Sequence, residues 1–123
     1  MGMNAIHRKW QDVPLETLSD SITRRFITTD RQMVAQFTLP KGAVVPAHRH
    51  ENEQVTNVLS GVMEFTLGDD QNEIIIVRAN EVIVLPSNLL HSARILEDCF
   101  QLDIFSPPRA DWLQGEDHYL RGG

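Results

Sequence analysis

Three histidines and a glutamine are the residues of this chain best suited to chemistry. They read His48-Arg49-His50, then Gln54, then His91 further on. In an extended strand, side chains two apart project to the same face. His48, His50, Asn52 and Gln54 therefore share one parity, and Arg49, Glu51 and Glu53 the other. Two imidazoles so spaced can grip one ion from one side, and Gln54 can reach it from the start of the next strand. His91 must arrive from elsewhere in the fold to close a cage. Imidazole nitrogens with one oxygen ligand suit a divalent transition metal: Zn, Ni, Mn, Fe or Co. A His-x-His pair also occurs on surfaces with no metal, so the flanking elements must distinguish the two.

The bulk properties narrow the setting. The 123 residues are enough for one domain with a real core, and 41% hydrophobic with 23% charged residues is ordinary for a globular chain. A net charge of −6 argues against a nucleic-acid backbone as partner. There is no run of eighteen apolar residues to span a membrane. Residues 1–10 hold no apolar signal-peptide core. Cys99 is the only cysteine, which excludes an internal disulfide and suits a reducing cytoplasm.

From Ser21 to Pro107 the chain reads as all-β. Short runs rich in Val, Ile, Phe and Thr alternate with turn clusters. The runs are Ile22–Thr28, Met33–Leu39, Val44–Ala47, Gln54–Leu59, Val62–Leu67, Glu73–Val77, Glu81–Leu85, His91–Leu96 and Cys99–Phe105, with Ser60-Gly61 and Glu97-Asp98 among the breaks. No amphipathic helical repeat lies between them, which excludes alternating strands and helices. Residues 1–20 form an N-terminal flank in which Trp10–Leu18 is a candidate for a turn or two of helix. Residues 108–123 form a C-terminal segment packed on the barrel. There Ser106 is a candidate cap for a short helix through Trp112, with a proline in its first turn. The Gly122-Gly123 tail is expected to be disordered.

Gly42-x5-His48-x-His50-x3-Gln54-x6-Gly61 resembles the first motif of the cupin family, and Asn80-x5-Pro86-x-Asn88-x2-His91 resembles its second. The resemblance covers roughly residues 33 to 105. It implies a double-stranded β-helix, the cupin jelly-roll barrel, with His48, His50, Gln54 and His91 as ligands of one divalent transition metal. Three positions depart from the pattern. Gln54 stands where many cupins have Glu. Asn80 and Asn88 stand where they have Gly, and Asn tolerates positive φ better than most residues. Ile95 replaces the closing Asn.

Gln54 has a chemical consequence. Three neutral imidazoles and a neutral amide leave the ion's full +2 charge uncompensated. Such a site favours Lewis-acid chemistry on anionic molecules over iron dioxygenase chemistry. Strand parity points Glu51 and Glu53 away from it, unless a bulge intervenes.

The last strand carries a second signal. Phe100, Leu102 and Ile104 form one face, and Cys99, Gln101, Asp103 and Phe105 the other. By composition the polar stripe faces solvent. In a barrel it lines the cavity and places the Asp103 carboxyl near the metal for general acid–base work. The run Asp103-Ile104-Phe105-Ser106-Pro107-Pro108-Arg109-x-Asp111-Trp112-Leu113 resembles the tail of small cupins of the KdgF type. That resemblance implies ring opening of 4,5-unsaturated uronates, with Asp103 as acid–base group, Phe105 as cavity wall and Arg109 as a bidentate carboxylate clamp. Phe105 and Arg109 fit a packing role in the C-terminal segment equally well. Arg24 and Arg25 alternate in an early strand, so one of them is expected to face the cavity as an anion partner; the pattern does not say which.

His7 and His118 are expected in exposed flanks, Asp69-Asp70 in a hairpin loop, and Trp10 and Trp112 as packing anchors. Ile74–Val77 and Val82–Leu85 are apolar on both faces, and one small barrel has one interior, so a homodimer is expected. Three functions follow: a metal-dependent isomerase or ring opener of an anionic sugar, a metal-dependent dioxygenase of a small organic substrate, or a non-catalytic ligand-binding cupin.

Overall fold

Alternation decides where strands form. Met33, Ala35, Phe37 and Leu39 are buried, while Val34, Gln36 and Thr38 between them are not. That pattern is stable only as a strand with one face on a core. The computed structural model describes residues 4–19 and 21–122. Its strands are β1 (Glu16–Thr17), β2 (Thr23–Thr28), β3 (Met33–Leu39), β4 (Val44–His48), β5 (Glu53–Leu67), β6 (Glu73–Arg78), β7 (Glu81–Leu85) and β8 (His91–Ser106). All pairings are antiparallel, in the order β1-β2-β3-β8-β5-β6, with β4 on β8 and β7 on β5.

The two long strands make the jelly-roll barrel. The first half of β5 lies between β7 and the second half of β8, and its second half lies between β6 and the first half of β8. β8 likewise carries β4 on its first half and β3 on its second. Each long strand therefore serves two sheets, and the core fills the space between them. Phe37, Leu39, Met63, Phe65, Leu85 and Ile95 are each no more than 4% exposed.

Three expectations need correction. Nine short strands were expected. Gln54–Leu59 and Val62–Leu67 are instead one strand, and so are His91–Leu96 and Cys99–Phe105. Ser60-Gly61 is a bulge in the ladder rather than a turn, with register shifts between Val58 and Met63. The expected Trp10–Leu18 helix is a single 3-10 turn at Trp10–Asp12, followed by β1. Pro14 cannot continue a helix ladder. The C-terminal helix α1 spans only Ala110–Leu113, with Arg109 at its N-cap and no capping side chain. Ser106 ends β8, and its hydroxyl donates to the Arg31 carbonyl at 3.1 Å. The residue before a proline avoids the helical region, so the Pro107-Pro108 pair delays the helix. A 3-10 turn at His118–Leu120 follows. Asp20 of the N-terminal flank and Gly123 of the expected tail lie outside the described residues.

Asn80 and Asn88, where the cupin motifs have glycine, have φ of 69° and 65°. No helix among the described residues is long and apolar enough to cross a membrane.

Candidate metal centre

The histidines converge because of register. His48, the last residue of β4, is the cross-strand partner of His91, the first of β8. His50 follows in the loop to β5, and Gln54, the second residue of β5, lies opposite Phe105. One ring nitrogen from each of His48, His50 and His91 lies within 4.8 Å of the others.

The backbone selects which nitrogen is available. The Nδ1 atoms of His48, His50 and His91 lie 2.8, 3.0 and 2.8 Å from the carbonyls of Pro46, Asn52 and Leu89. A carbonyl only accepts, so each Nδ1–H donates and each Nε2 keeps a bare lone pair. Such bonds commonly orient metal-ligating histidines. Burial holds all three rings neutral: His48 is lowered to about 3, His50 to about 4, and His91 is lowered as well.

Gln54 completes the fit. Its Nε2 donates to the Thr56 hydroxyl at 2.9 Å, which leaves Oε1 3.2 Å from His50 Nε2. With the His50 proton on Nδ1, two acceptors face each other and no protein hydrogen joins them. A shared cation resolves that contact, so the donor set fits a divalent metal.

The remaining site residues come from the inner face of β8. Gln101, Asp103 and Phe105 are all buried there, as the barrel requires and composition alone did not. Asp103 is paired across strands with Thr56. Burial pushes its carboxyl up to about 7, against the pull of Thr56, Gln101 and the Arg109 charge. Gln101 Nε2 donates to Asp103 Oδ2 at 2.9 Å, while Asp103 Oδ1 and Gln101 Oε1 are buried with no partner. Asp103 and Gln101 line one cavity with His48, His91 and Gln54, with about 40 Å³ free.

Phe105 lines that cavity, at a ring-centroid distance of 6.0 Å from His50, and also packs on Trp112 at 5.0 Å. Arg109 departs from its expected role. Its Nε and Nη2 hold Asp111 bidentately at 2.9 and 2.7 Å, Nη2 also donates to the Tyr119 hydroxyl, and the guanidinium lies 4.9 Å from the Trp112 ring. The fork expected to clamp a substrate carboxylate is already filled by the chain's own. What reaches the site is its charge, felt at His48, His50, His91 and Asp103.

Arg24 is the inward member of the early arginine pair. It is buried in ion pairs with Glu16 and Asp117, each at 2.9 Å, while Arg25 donates to the Val13 carbonyl. Sequence reasoning missed Tyr119. Its ring lies 4.6 Å from the His48 ring, and with Trp112 and Leu120 it walls the cavity. A tyrosine in an irregular tail carries no periodic signal. Thr56 was missed too, since a threonine in a half-buried strand is ordinary. Glu51, Glu53, His7 and His118 are exposed, as parity and position indicated.

The cupin domain family matches residues 35–105, more than half of the chain. The chain is a cupin. No curated protein matches it by sequence. Among solved structures it is similar to KdgF from Halomonas sp., with 26% identity and a TM-score of 0.79, covering 89% of this chain and 99% of that one. An RmlC-like cupin from Shewanella frigidimarina NCIMB 400 has 21% identity and a TM-score of 0.79, covering 91% and 99%. Bacillus subtilis oxalate decarboxylase, described with Mn(II) centres, has 22% identity and a TM-score of 0.69, covering 79% of this cupin and 28% of that chain. The last two likenesses are of fold.

Proposed function

We propose that this cupin holds one divalent transition metal on His48, His50, Gln54 and His91 and opens the ring of an anionic sugar such as a 4,5-unsaturated uronate. One arrangement carries the reading: His48 and His91, with bare Nε2 lone pairs, line the same cavity as Asp103 and Gln101, each of which has a buried oxygen without a partner. Buried acceptors without donors suit the hydroxyl groups of a sugar. The similarity to a KdgF over nearly the whole of both chains supports the same class of substrate.

The chain's own residues divide the work. Ring opening of a hemiacetal moves a proton from its hydroxyl to the ring oxygen. Asp103, pushed up to about 7, can accept and return that proton near neutral pH. Gln101 holds the carboxyl in place through Oδ2, and Oδ1 has lone pairs enough to accept from a substrate hydroxyl as well as from a neighbour. Phe105 supplies an apolar wall, and the Arg109 charge favours an anion without a direct clamp. A metal bound here supplies Lewis acidity toward a substrate oxygen. The free 40 Å³ is far below the roughly 300 Å³ of small ligand sites, so a sugar enters only if part of the cavity lining gives way. The partners in this reading are a small anionic molecule and a second copy of the chain, in the cytoplasm.

The test begins with elemental analysis of untagged protein. Metal-loaded protein is then incubated with a 4,5-unsaturated galacturonate while the absorbance of the conjugated double bond is followed. Metal-dependent loss of that absorbance, as the enol released by ring opening moves its proton to carbon and becomes a ketone, is expected and should be abolished by chelation. Unchanged absorbance, with oxygen consumed on a small enol or diketone, would replace this reading with the dioxygenase.

A further inference from the structure

Gln54 is a ligand only if its amide faces the right way. Oxygen and nitrogen of a side-chain amide are close in size, and a half-turn exchanges them at little steric cost. Facing the histidines with oxygen, Gln54 adds a fourth donor. Facing them with NH₂, it donates to a bare Nε2 and turns a positive end toward the ion.

We propose that Thr56 is the positioning residue that holds the Gln54 amide with its oxygen toward the three histidines. The inference rests on the metal-binding reading above. Thr56 is fully buried, so water cannot substitute for it. Its hydroxyl accepts from Gln54 Nε2 at 2.9 Å. A free hydroxyl could equally donate to Oε1 of a turned amide, so the direction of its own proton decides. That proton has a better destination. Thr56 faces Asp103 across the β5–β8 ladder, where the carboxyl's Oδ1 is a buried acceptor with no donor of its own. The same carboxyl draws in the Gln101 amide from the other side, at 2.9 Å. With its proton turned toward that acceptor, Thr56 offers Gln54 only a lone pair, and only the NH₂ end can use it. The inner face of the barrel therefore carries a directed row, Gln54 to Thr56 to Asp103, whose polarity ends at the metal site.

The experiment uses the full chain stripped of metal by chelation and titrated with Co(II), with affinity read by competition and ligation by the visible spectrum. Thr56→Val, which keeps shape and loses the hydroxyl, should weaken Co(II) binding about 10- to 100-fold, the usual range for a lost outer partner of a ligand. Thr56→Ser should bind like the parent. In a Gln54→Ala background, Thr56→Val should cost nothing further, because the residue acts through the amide. Equal affinity of Thr56→Val and parent would overturn the proposal, and so would an equal loss in the Gln54→Ala background. Should the valine variant not fold, Thr56→Ala carries the same comparison. A parent chain that takes up no Co(II) would instead overturn the metal reading itself.

Discussion

Asp103 meets two opposed demands: its site is dry, which favours the neutral acid, and it is ringed by donors, which favour the anion. Burial prevails, and the carboxyl is pushed up to about 7 from 3.8. The sign of the consequence follows. Between those pH values the folded state keeps a proton that the unfolded chain has lost, so this group's contribution to stability falls as pH rises through the interval. Asp103→Asn has no proton to lose. In metal-free protein its advantage over the parent should grow from pH 4 to pH 8 by a few kcal/mol at most, on the order set by about 1.4 kcal/mol per pKa unit. Urea denaturation at the two pH values measures it, and a constant gap would show that Asp103 titrates as an exposed aspartate does. The same variant keeps every proposed metal donor, so metal content should be unchanged while the proposed ring opening slows about 10²- to 10⁴-fold. Full activity would remove Asp103 from the chemistry. At this scale the histidines were legible because ligation demands particular residue types at particular offsets. The fate of the Arg109 fork was not. Whether a guanidinium meets a substrate or its own Asp111 depends on a two-residue geometry that spacing does not reveal.

β5 and β8 show where local signals mislead. Ser60-Gly61 and Glu97-Asp98 have the composition of turns, and each splits an apolar run in two. Both strands pass through without turning. Gly61 has φ of +89°, and a Cβ there would lie 2.1 Å from the Asp98 carbonyl oxygen. The glycine thus lets two backbones close on each other where the sheets fold over, a use of the residue that looks the same in sequence as a hairpin. Gly61→Ala combines a positive φ with a backbone clash and should cost about 3 kcal/mol or more, read as a lowered urea midpoint. A loss under 1 kcal/mol would show that the bulge can relax. The bulge also shapes the site, since it lets one continuous strand carry Gln54 and Thr56 in one sheet and Met63 and Phe65 in the other. The barrel strands were otherwise legible from period-two burial. The tail was not: Tyr119 reaches His48 only through the fastening of Asp117 by Arg24 and Arg121, a tertiary contact with no local pattern.

At the scale of the whole molecule, one apolar face is left uncovered by the described residues. The cross-strand pairs Ile27↔Val34, Val34↔Ile104, Ile104↔Val55 and Val55↔Val84 set five branched apolar side chains in a row across β2, β3, β8, β5 and β7. Their strand neighbours Phe26, Ala35, Phe105, Thr56 and Leu85 point to the opposite face, so this row looks outward. Val84 is 55% exposed and Val82, two residues away on the same face, 58%. Leu102 and Phe100 extend the apolar surface along β8. An uncharged row of this length on a chain of net charge −6 suits a surface met by its own copy about a twofold axis. Light scattering at micromolar concentration should then give twice the chain mass. Ile104→Arg lies at the centre of the row and outside the barrel core. It should leave the fold and metal uptake intact while raising the dimer dissociation constant about 100-fold or more, as loss of a central anchor does. The melting temperature of the parent, and not of the variant, should rise with protein concentration. A monomeric parent would contradict the dimer, and a dimer indifferent to Ile104→Arg would place the contact on the other sheet, where Ile74 and Val44 are the exposed apolar residues.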